Sequence, residues 1–485
     1  MALYGGIELP GEPNLENIRR LDLMVLPQLN RMSRYGIAVD LPYLQELSSQ
    51  FGAEMRDLQR DISSYIPPTA LDRFSQAAAD IEEEEGSATL NAASAEQIGV
   101  LLFELLGIGK NRRLKSTGTG KVSTGKKNLD LIRLDHPVVP LVMQYRERQK
   151  LKSTYCDTLP KVAVLHPRSS CCPVCEFQHE ADTHRLHPTW LTTRAITGRI
   201  QCKKPPLQTI PIRTDLGSRI RAAFLGSPGT RLVSVDFSQM ELRDLAHLAN
   251  AHSMLNIYES GGDIHVNTAA RSFGIPAEQV DKYKHRLPAK TVNFSITNGT
   301  TGKGLCAQII HAFWNAGVNP PDWLTEAWCD SFIVSWHGIY NEVQPYFETQ
   351  YYRAKRYGFC WNPWGRVRYI PQVRSSLPYK VSEGLREAQN FPVTSSNAEQ
   401  TKLAMAECED LFTRLLDSNI CAIGLLSIHD QIIAEVDENY AEAVGEMMVD
   451  IFENVMVDKD TGENLWRCPI KSDCEVLERW KEKAA

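Results

Sequence analysis

With 485 residues, 43% of them hydrophobic and 23% charged, the chain is long enough for two or more lobes around a large core and has an ordinary globular composition. Its formal charge of −6 excludes a uniformly basic protein, so any polyanion site must be a local concentration of Lys and Arg. The absence of a charged-then-apolar leader and of a bilayer-length apolar run points to a cytoplasmic (or nucleoid-associated) protein, not a membrane protein, whose twelve cysteines are mostly reduced thiols.

The spacing of Leu21, Leu23, Met24, Leu26, Leu29 and Met32 predicts a helix from residue 14, stopped by Gly36 and followed by extended Ile37-Ala38-Val39-Asp40. Asp40 is placed to cap the next helix, with Pro42 in its first turn, and that helix runs to about Ile66. The acidic run Glu82–Glu85 reads as a solvated loop. A helix resumes at Leu90-Asn91 and runs to Leu106, with Ser94 as cap and Gln97 three residues on. Residues 110–127 carry seven cations and no acid among glycines and hydroxyls, which suits a nucleic-acid backbone without sequence preference; the plainer alternative is a solvated loop. Residues 128–160 read as helical, with basic residues at Arg146, Arg148, Lys150 and Lys152, ending at Pro160.

Cys172-x2-Cys175-x3-His179-x4-His184 is either a polar loop or a small tetrahedral site for a structural Zn2+. Residues 241–310 read as largely helical, the aromatics of 311–355 as the core of a helical lobe, and 380–416 as a long helix interrupted near Pro392. Leu232–Arg243 begins as an apolar strand and ends as an amphipathic helix, with Asp236 at the junction. Gly424–Val436 is a hairpin with Asp430 at its tip, and a final helix and short strand close the chain.

Two aspartates at strand ends repel if they sit side by side, unless a divalent cation lies between them. Mg2+ takes a few carboxylate oxygens plus water and substrate phosphate, and two such ions support phosphoryl or nucleotidyl transfer. Arg286, Lys290 and Phe294 fall four apart, so two cations and an aromatic ring share one helix face suited to a triphosphate and a base.

Together these stretches resemble the family A DNA polymerases. Asp236-Phe-Ser-Gln-Met-Glu-Leu-Arg243 is similar to their first motif, Arg286 to Gly299 to their second and His429-Asp430-Gln431 to their third. Arg199 in Thr-Gly-Arg, Gln208 in Leu-Gln-Thr-Ile-Pro and the run Lys150–Tyr155 fit further patches of that family. The resemblance implies an α+β right-hand polymerase fold, with an antiparallel palm sheet and helical fingers and thumb. It places an N-terminal helix at 1–39, the thumb at 40–148 with the basic loop at its tip, palm at 149–241 and 396–485, and fingers at 242–395. It implies a monomeric enzyme of DNA replication or repair that takes primer–template DNA, dNTPs and two Mg2+ ions.

By the same resemblance Asp236 and Asp430 hold the metals, and Arg286 and Lys290 bind the triphosphate, with Lys290 also able to protonate pyrophosphate. Phe294 stacks on the incoming nucleotide and, as Phe rather than Tyr, goes with discrimination against dideoxynucleotides. Glu241 excludes a 2′-hydroxyl, His265 touches the β-phosphate, and Asn298 stands at the base-pair pocket. Arg199, Gln208, Arg386, Asn390, His429 and Lys152 face DNA. The chain departs from the pattern at Asn298 (Tyr in the family), Gln431 (Glu) and Thr394 (Gln). Pro288 predicts that the cationic helix starts within a turn of it or bends there. The chain begins at the polymerase region, which leaves no room for a preceding exonuclease domain. A single-subunit RNA polymerase is the competing enzyme, opposed by Glu241; a silent primer–template binding protein is opposed by the presence of both aspartates.

Overall fold

The computed structural model describes residues 3–74, 90–169, 171–172, 176–179, 181–212 and 214–481. The chain forms two units, one of Met1–Ala38, Leu165–Thr209 and Leu225–Trp480, the other of Val39–Val164, Ile210–Phe224 and Lys481–Ala485. In the first unit the Asn14 side chain accepts from Asn17 N at 3.0 Å and so caps α1 (Leu15–Met24). The single helix expected here is two, because Pro27 has no N–H to donate to the carbonyl a turn earlier, and a second helix, α2 (Leu26–Tyr35), starts afresh. Gly36, at φ 70°, ends it and leads into β1 (Ile37–Val39), which pairs antiparallel with β2 (Thr183–Leu186).

The main sheet grows from β3 (Thr230–Phe237), whose run Leu232-Val233-Ser234-Val235 is wholly buried. Helix α3 (Met240–Leu248) follows immediately, because Gln239 takes the left-handed conformation (φ 56°) and turns the chain sharply. Next come α4 (Ile264–Phe273), α5 (Leu287–Ile296) and the 40-residue α6 (Pro378–Asp417). Then β4 (Ala422–Ile428) and β5 (Gln431–Asp437) form the hairpin, and α7 (Ala441–Glu453) and β6 (Ser472–Leu477) close the unit. The strand order is β4–β5–β3–β6, antiparallel throughout. Val233 and Phe237 meet α7, at Gly445 and Phe452. Strand alternation therefore turns Asp236 to the other face.

Helix α6 runs through Pro392 without the expected interruption. An interior proline costs about 3 kcal/mol. It is outweighed here because residues 391 to 406 are buried without a break, so leaving the helix would expose a core segment. An ion network fixes α6 to α1: Lys402 Nζ lies 2.5 Å from Asp22 Oδ1 and 3.2 Å from Glu399 Oε2, and Arg366 reaches Asp22 at 2.8 Å. At the distal end of β5, Arg185 and Glu435 pair at 2.7 Å, both fully buried, and Tyr35 donates its hydroxyl to Glu435 at 2.9 Å. Among the described residues no helix is long and apolar enough to cross a membrane.

In the second unit Asp40 accepts from Tyr43 N at 3.0 Å and caps the helix Leu41–Ser63, as its sequence predicts. That helix packs on Val138–Leu151 around Leu58, Ile62, Ile98, Leu102, Val139 and Val142. Ser94 caps a shorter helix than expected, Ala95–Gly99, continued by a wide turn through Leu105. The stretch 128–160 is broken between Leu131 and Val138 around Pro137, and Pro160 lies in the first turn of a last short helix instead of ending one. The acidic run Glu82–Glu85 lies outside the described residues.

Candidate active site

The β4–β5 connection has two residues, His429 and Asp430, with His429 at φ 59°. Such a turn needs a positive φ at its first position, which histidine tolerates better than a branched residue. The register sets Gln431 opposite Asp236, and Phe237 N donates to the Asp430 carbonyl at 3.4 Å, so the two aspartates share one end of the central strands. Gln431 donates to Ser234 Oγ at 2.8 Å, tying its neutral amide into the sheet. A third acid, Asp473 on β6, stands across from Asp236, brought there by strand pairing that no local signal announces.

Two further acids come from α3. Glu241 accepts from Arg199 Nη2 at 2.7 Å, yet burial holds its carboxyl above the usual range, with Asp430 adding to the rise. Asp244, one turn on and fully buried, accepts from Gln400 at 3.0 Å and is pushed well above by burial. Burial likewise raises Asp430, against the opposing pull of Arg199, His429 and an Asn397 hydrogen bond. Burial is the main cause of all three rises, with neighbouring acids adding to those of Glu241 and Asp244. Carboxylate oxygens are the hard donors that Mg2+ takes, and Asp236 and Asp430, at one end of the central strands, could hold such an ion.

The cationic segment packs beside α3. Asp281 accepts from Tyr283 N and Lys284 N (2.9 and 2.6 Å), opening a wide turn over Lys282–Arg286 that passes into α5 at Leu287. Pro288 sits in the first turn of α5, where its missing N–H costs nothing, as the sequence predicts. Arg286 donates through Nε and Nη2 to Asp263 Oδ2 at 3.0 and 2.6 Å. The other oxygen of Asp263 caps α4, accepting from His265 N at 2.7 Å and Val266 N at 3.2 Å. Burial works to raise Asp263, but Arg286 outweighs it and holds the carboxyl low. His265 is buried and pushed down to about 4, chiefly by burial, so its ring is neutral at pH 7. Its Nδ1 accepts from Asn293 at 2.9 Å, which leaves the proton on Nε2. The Phe294 ring lies 5.4 Å from it, and Lys290 is half-buried on the same helix.

At the far end of α5, Gln389 donates to the carbonyls of Ile296 and Thr297, both at 3.0 Å. Beside it runs a side-chain relay. Thr394 Oγ1 donates to Asn390 Oδ1 at 2.9 Å, Asn390 Nδ2 to Asn298 Oδ1 at 2.8 Å, and Asn298 Nδ2 to the Phe294 carbonyl at 3.2 Å. Two of the three departures from the family pattern, Asn298 and Thr394, thus meet through Asn390. Gly299 is at φ 60°, and a Cβ there would stand 2.5 Å from Arg386 Cγ; Arg386 itself donates to Ser382 at 2.8 Å.

Gln208 is fully engaged within the fold: it accepts from Cys202 N at 2.8 Å and donates to the Ile200 and Ser427 carbonyls at 3.0 and 2.8 Å. It braces the end of β4 beside an exposed His429. Lys152 belongs to the second unit and pairs with Asp157 at 2.9 Å. Its neighbours Arg146 and Arg148 turn inward to the Thr124 carbonyl and Glu54. In the basic loop Lys121 pairs with Glu96 at 2.6 Å and Arg112 with Asp135 at 3.1 Å. Of the four ligands read for zinc, His184 is exposed and stands apart, Cys175 lies outside the described residues, and Cys172 and His179 meet His166 instead. Asp263, Asp244, Asn293 and Gln389 escaped the sequence reading. Asp263 before Ile-His carries a capping signal, but its bond to Arg286 has none.

The family model "DNA polymerase family A" matches residues 42–482. "DNA polymerase I, thermostable" of Thermus aquaticus is 32% identical over 457 residues, covering 93% of this chain and 48% of its own length. "DNA polymerase I" of Deinococcus radiodurans is 31% identical over 457 residues, covering 93% and 41%. The chain therefore spans about half or less of the length of these relatives. Among solved structures, "POL domain of Pol1 from M. smegmatis complex with DNA primer-template and dNTP" aligns at a TM-score of 0.74 and 25% identity, over 96% of this chain and 72% of that one.

Proposed function

The chain belongs to DNA polymerase family A, and on that premise we propose that it is a template-directed DNA polymerase, extending a primer 3′-hydroxyl with dNTPs and releasing pyrophosphate. The observation that carries this reading is the register placing Asp236 beside Gln431, and hence Asp430, at one end of β3 and β5, with the cationic α5 packed against α3. On this reading the two sheet strands and α7 are palm (149–241 and 396–485, entered by 1–39), 242–395 are fingers, and 40–148 are thumb. The protein works as a cytoplasmic monomer on primer–template DNA in replication or repair.

Asp236 and Asp430 would hold two Mg2+ ions, which would supply the charge that lowers the pKa of a primer hydroxyl and offsets that of pyrophosphate. Arg286 and Lys290 grip the triphosphate. For Arg286 this is an exchange: the guanidinium gives up the Asp263 carboxylate, 2.6 Å away, for phosphate oxygens. His265, with its proton on Nε2, is a neutral donor toward the β-phosphate. Phe294 stacks on the base, and Glu241, held by Arg199, takes the position that excludes a 2′-hydroxyl. Arg199, Gln208, Arg386, Asn390, His429 and Lys152 serve the DNA, Gln208 by fixing the hairpin's end.

Primer extension on a defined template with Mg2+ tests the assignment. Asp430→Ala is expected to lose at least about a thousandfold in rate, roughly 4 kcal/mol. Retained activity in that variant, or preferential incorporation of ribonucleotides by the wild type, would overturn it.

A further inference from the structure

A second cluster lies in the same unit, away from the acids. His166, Cys172 and His179 are buried, and their ligand atoms all lie within 4.8 Å of one another. His166 Nδ1 is 3.3 Å from His179 Nε2 and 3.6 Å from Cys172 Sγ. A tetrahedral zinc with bonds of about 2.05 Å to nitrogen and 2.3 Å to sulfur has edges of about 3.35 Å between two nitrogens and 3.55 Å between nitrogen and sulfur. The two separations match those edges.

The order of protons points the same way. The Ser33 carbonyl only accepts, so His187 Nδ1, 2.9 Å away, carries a hydrogen. In a neutral ring His187 Nε2 then holds a lone pair, and it faces His166 Nε2 at 2.9 Å. His166 therefore donates from Nε2 and keeps its lone pair on Nδ1, aimed at both Cys172 and His179. One lone pair does not accept two full hydrogen bonds, whereas a cation among three donors takes one pair from each. A ligand imidazole whose other nitrogen donates to a fixed acceptor is the usual arrangement at metal sites.

The backbone is shaped to bring these atoms together. Ser169 and His179 exchange both backbone hydrogen bonds (3.0 and 2.8 Å), Cys172 N donates to Phe177 O at 2.9 Å, and Glu176 N to Cys172 O at 2.8 Å, with Glu176 at φ 66°. The Tyr35 ring stacks on His179 at 5.5 Å and meets Phe177 edge-on at 5.1 Å, covering one side of the cluster. At Gly36 a Cβ would lie 3.0 Å from the His187 ring, so glycine lets that ring sit close.

We propose that His166, Cys172 and His179 bind a structural Zn2+, with His187 as the positioning residue that fixes the His166 tautomer. Two imidazoles and a thiolate select zinc over magnesium. The ion ties His166 to Cys172 and His179, beside the buried Arg185–Glu435 pair.

The test uses the full chain, expressed with zinc, desalted and held in excess Mg2+. Elemental analysis should find about one zinc per chain. Protein prepared with Co2+ should show a thiolate-to-cobalt charge-transfer band and strong tetrahedral d–d bands. Cys172→Ser should abolish the charge-transfer band, His187→Ala should weaken zinc affinity by about tenfold or more, and His184→Ala should change neither. Zinc far below one equivalent in the wild type, a charge-transfer band surviving Cys172→Ser, or metal lost with His184→Ala would overturn the assignment. If the substituted chains fail to fold, the wild-type stoichiometry and cobalt spectrum still decide it.

Discussion

The relay Thr394–Asn390–Asn298 yields a quantitative expectation. Asn390 is its middle member, receiving from Thr394 at 2.9 Å and donating to Asn298 at 2.8 Å. A net hydrogen bond between neutral side chains contributes about 0.5–1.5 kcal/mol; stranding the buried Thr394 hydroxyl costs about as much again, whereas the exposed Asn298 amide turns to water. Asn390→Ala removes both bonds, so it should weaken nucleotide incorporation by about 1–3 kcal/mol in kcat/KM, roughly 5- to 150-fold. The informative measurement is the double-mutant cycle. Asn298→Ala and Asn390→Ala each delete the same bond, so the double variant should fall short of their sum by about 1 kcal/mol. Asn298 and Thr394 do not bond each other. Their coupling must pass through Asn390 and should vanish in an Asn390→Ala background. Single-turnover incorporation on a matched template gives all the rates. Additive effects of Asn298→Ala and Asn390→Ala, within about 0.3 kcal/mol, would show that the bond carries no weight in catalysis and would refute the reasoning.

Arg199→Met removes the 2.7 Å partner of Glu241 and a positive charge that lowers Asp430; both carboxyls are already raised by burial. The acid limb of kcat/KM should therefore move to higher pH, with Arg199→Lys restoring most of it; an unmoved limb contradicts the assignment. Burial pushes Glu409 from 4.5 up to about 7, even with Arg31 at 3.0 Å. A folded-state value above the unfolded one means stability present below about 4.5 and lost as pH rises through about 7, a difference of about 3 kcal/mol. Glu409→Gln should therefore match the wild type in urea denaturation near pH 4.5 and exceed it near pH 8, and parallel pH curves would exclude this.

Much of this architecture follows from local signals. The apolar run before Asp236 and the two runs around His429-Asp430 become central strands, because continuous apolar runs buried on both faces and a two-residue turn leave little freedom. Asp40 before Pro42, and Pro288 inside the cationic segment, announce helix starts for purely local reasons. Four-residue spacing is enough to put Arg286, Lys290 and Phe294 on one face. What stays hidden depends on distant partners. Pro392 signals an interruption, but the burial around it is tertiary. Gln208 suggests a contact with nucleic acid, yet its amide is consumed by Cys202, Ile200 and Ser427. His184 has ligand spacing, but its strand turns Arg185 inward and His184 out, and the second imidazole comes from His166.

The two ends of β5 show how the fold separates structural charge from charge held for a ligand. At the distal end Glu435 is fully buried, and burial alone would raise its carboxyl. Arg185 at 2.7 Å, with hydrogen bonds from Tyr35 and Ser227, outweighs that and holds it low, so the protein completes its own neutralisation. At the other end Asp244 is fully buried and Asp430 and Glu241 are half-buried, and burial raises all three. Arg199 is the positive charge set against Glu241 and Asp430, and it does not bring them back to the ordinary range. A fold that neutralises one buried acid and leaves three others raised, one in the β4–β5 turn and two on α3, gathers acidic side chains at the turn where Asp430 stands. Bound there, a divalent cation would favour the ionised form of those carboxyls against the burial the fold imposes. Their titrations should therefore shift to lower pH when Mg2+ binds.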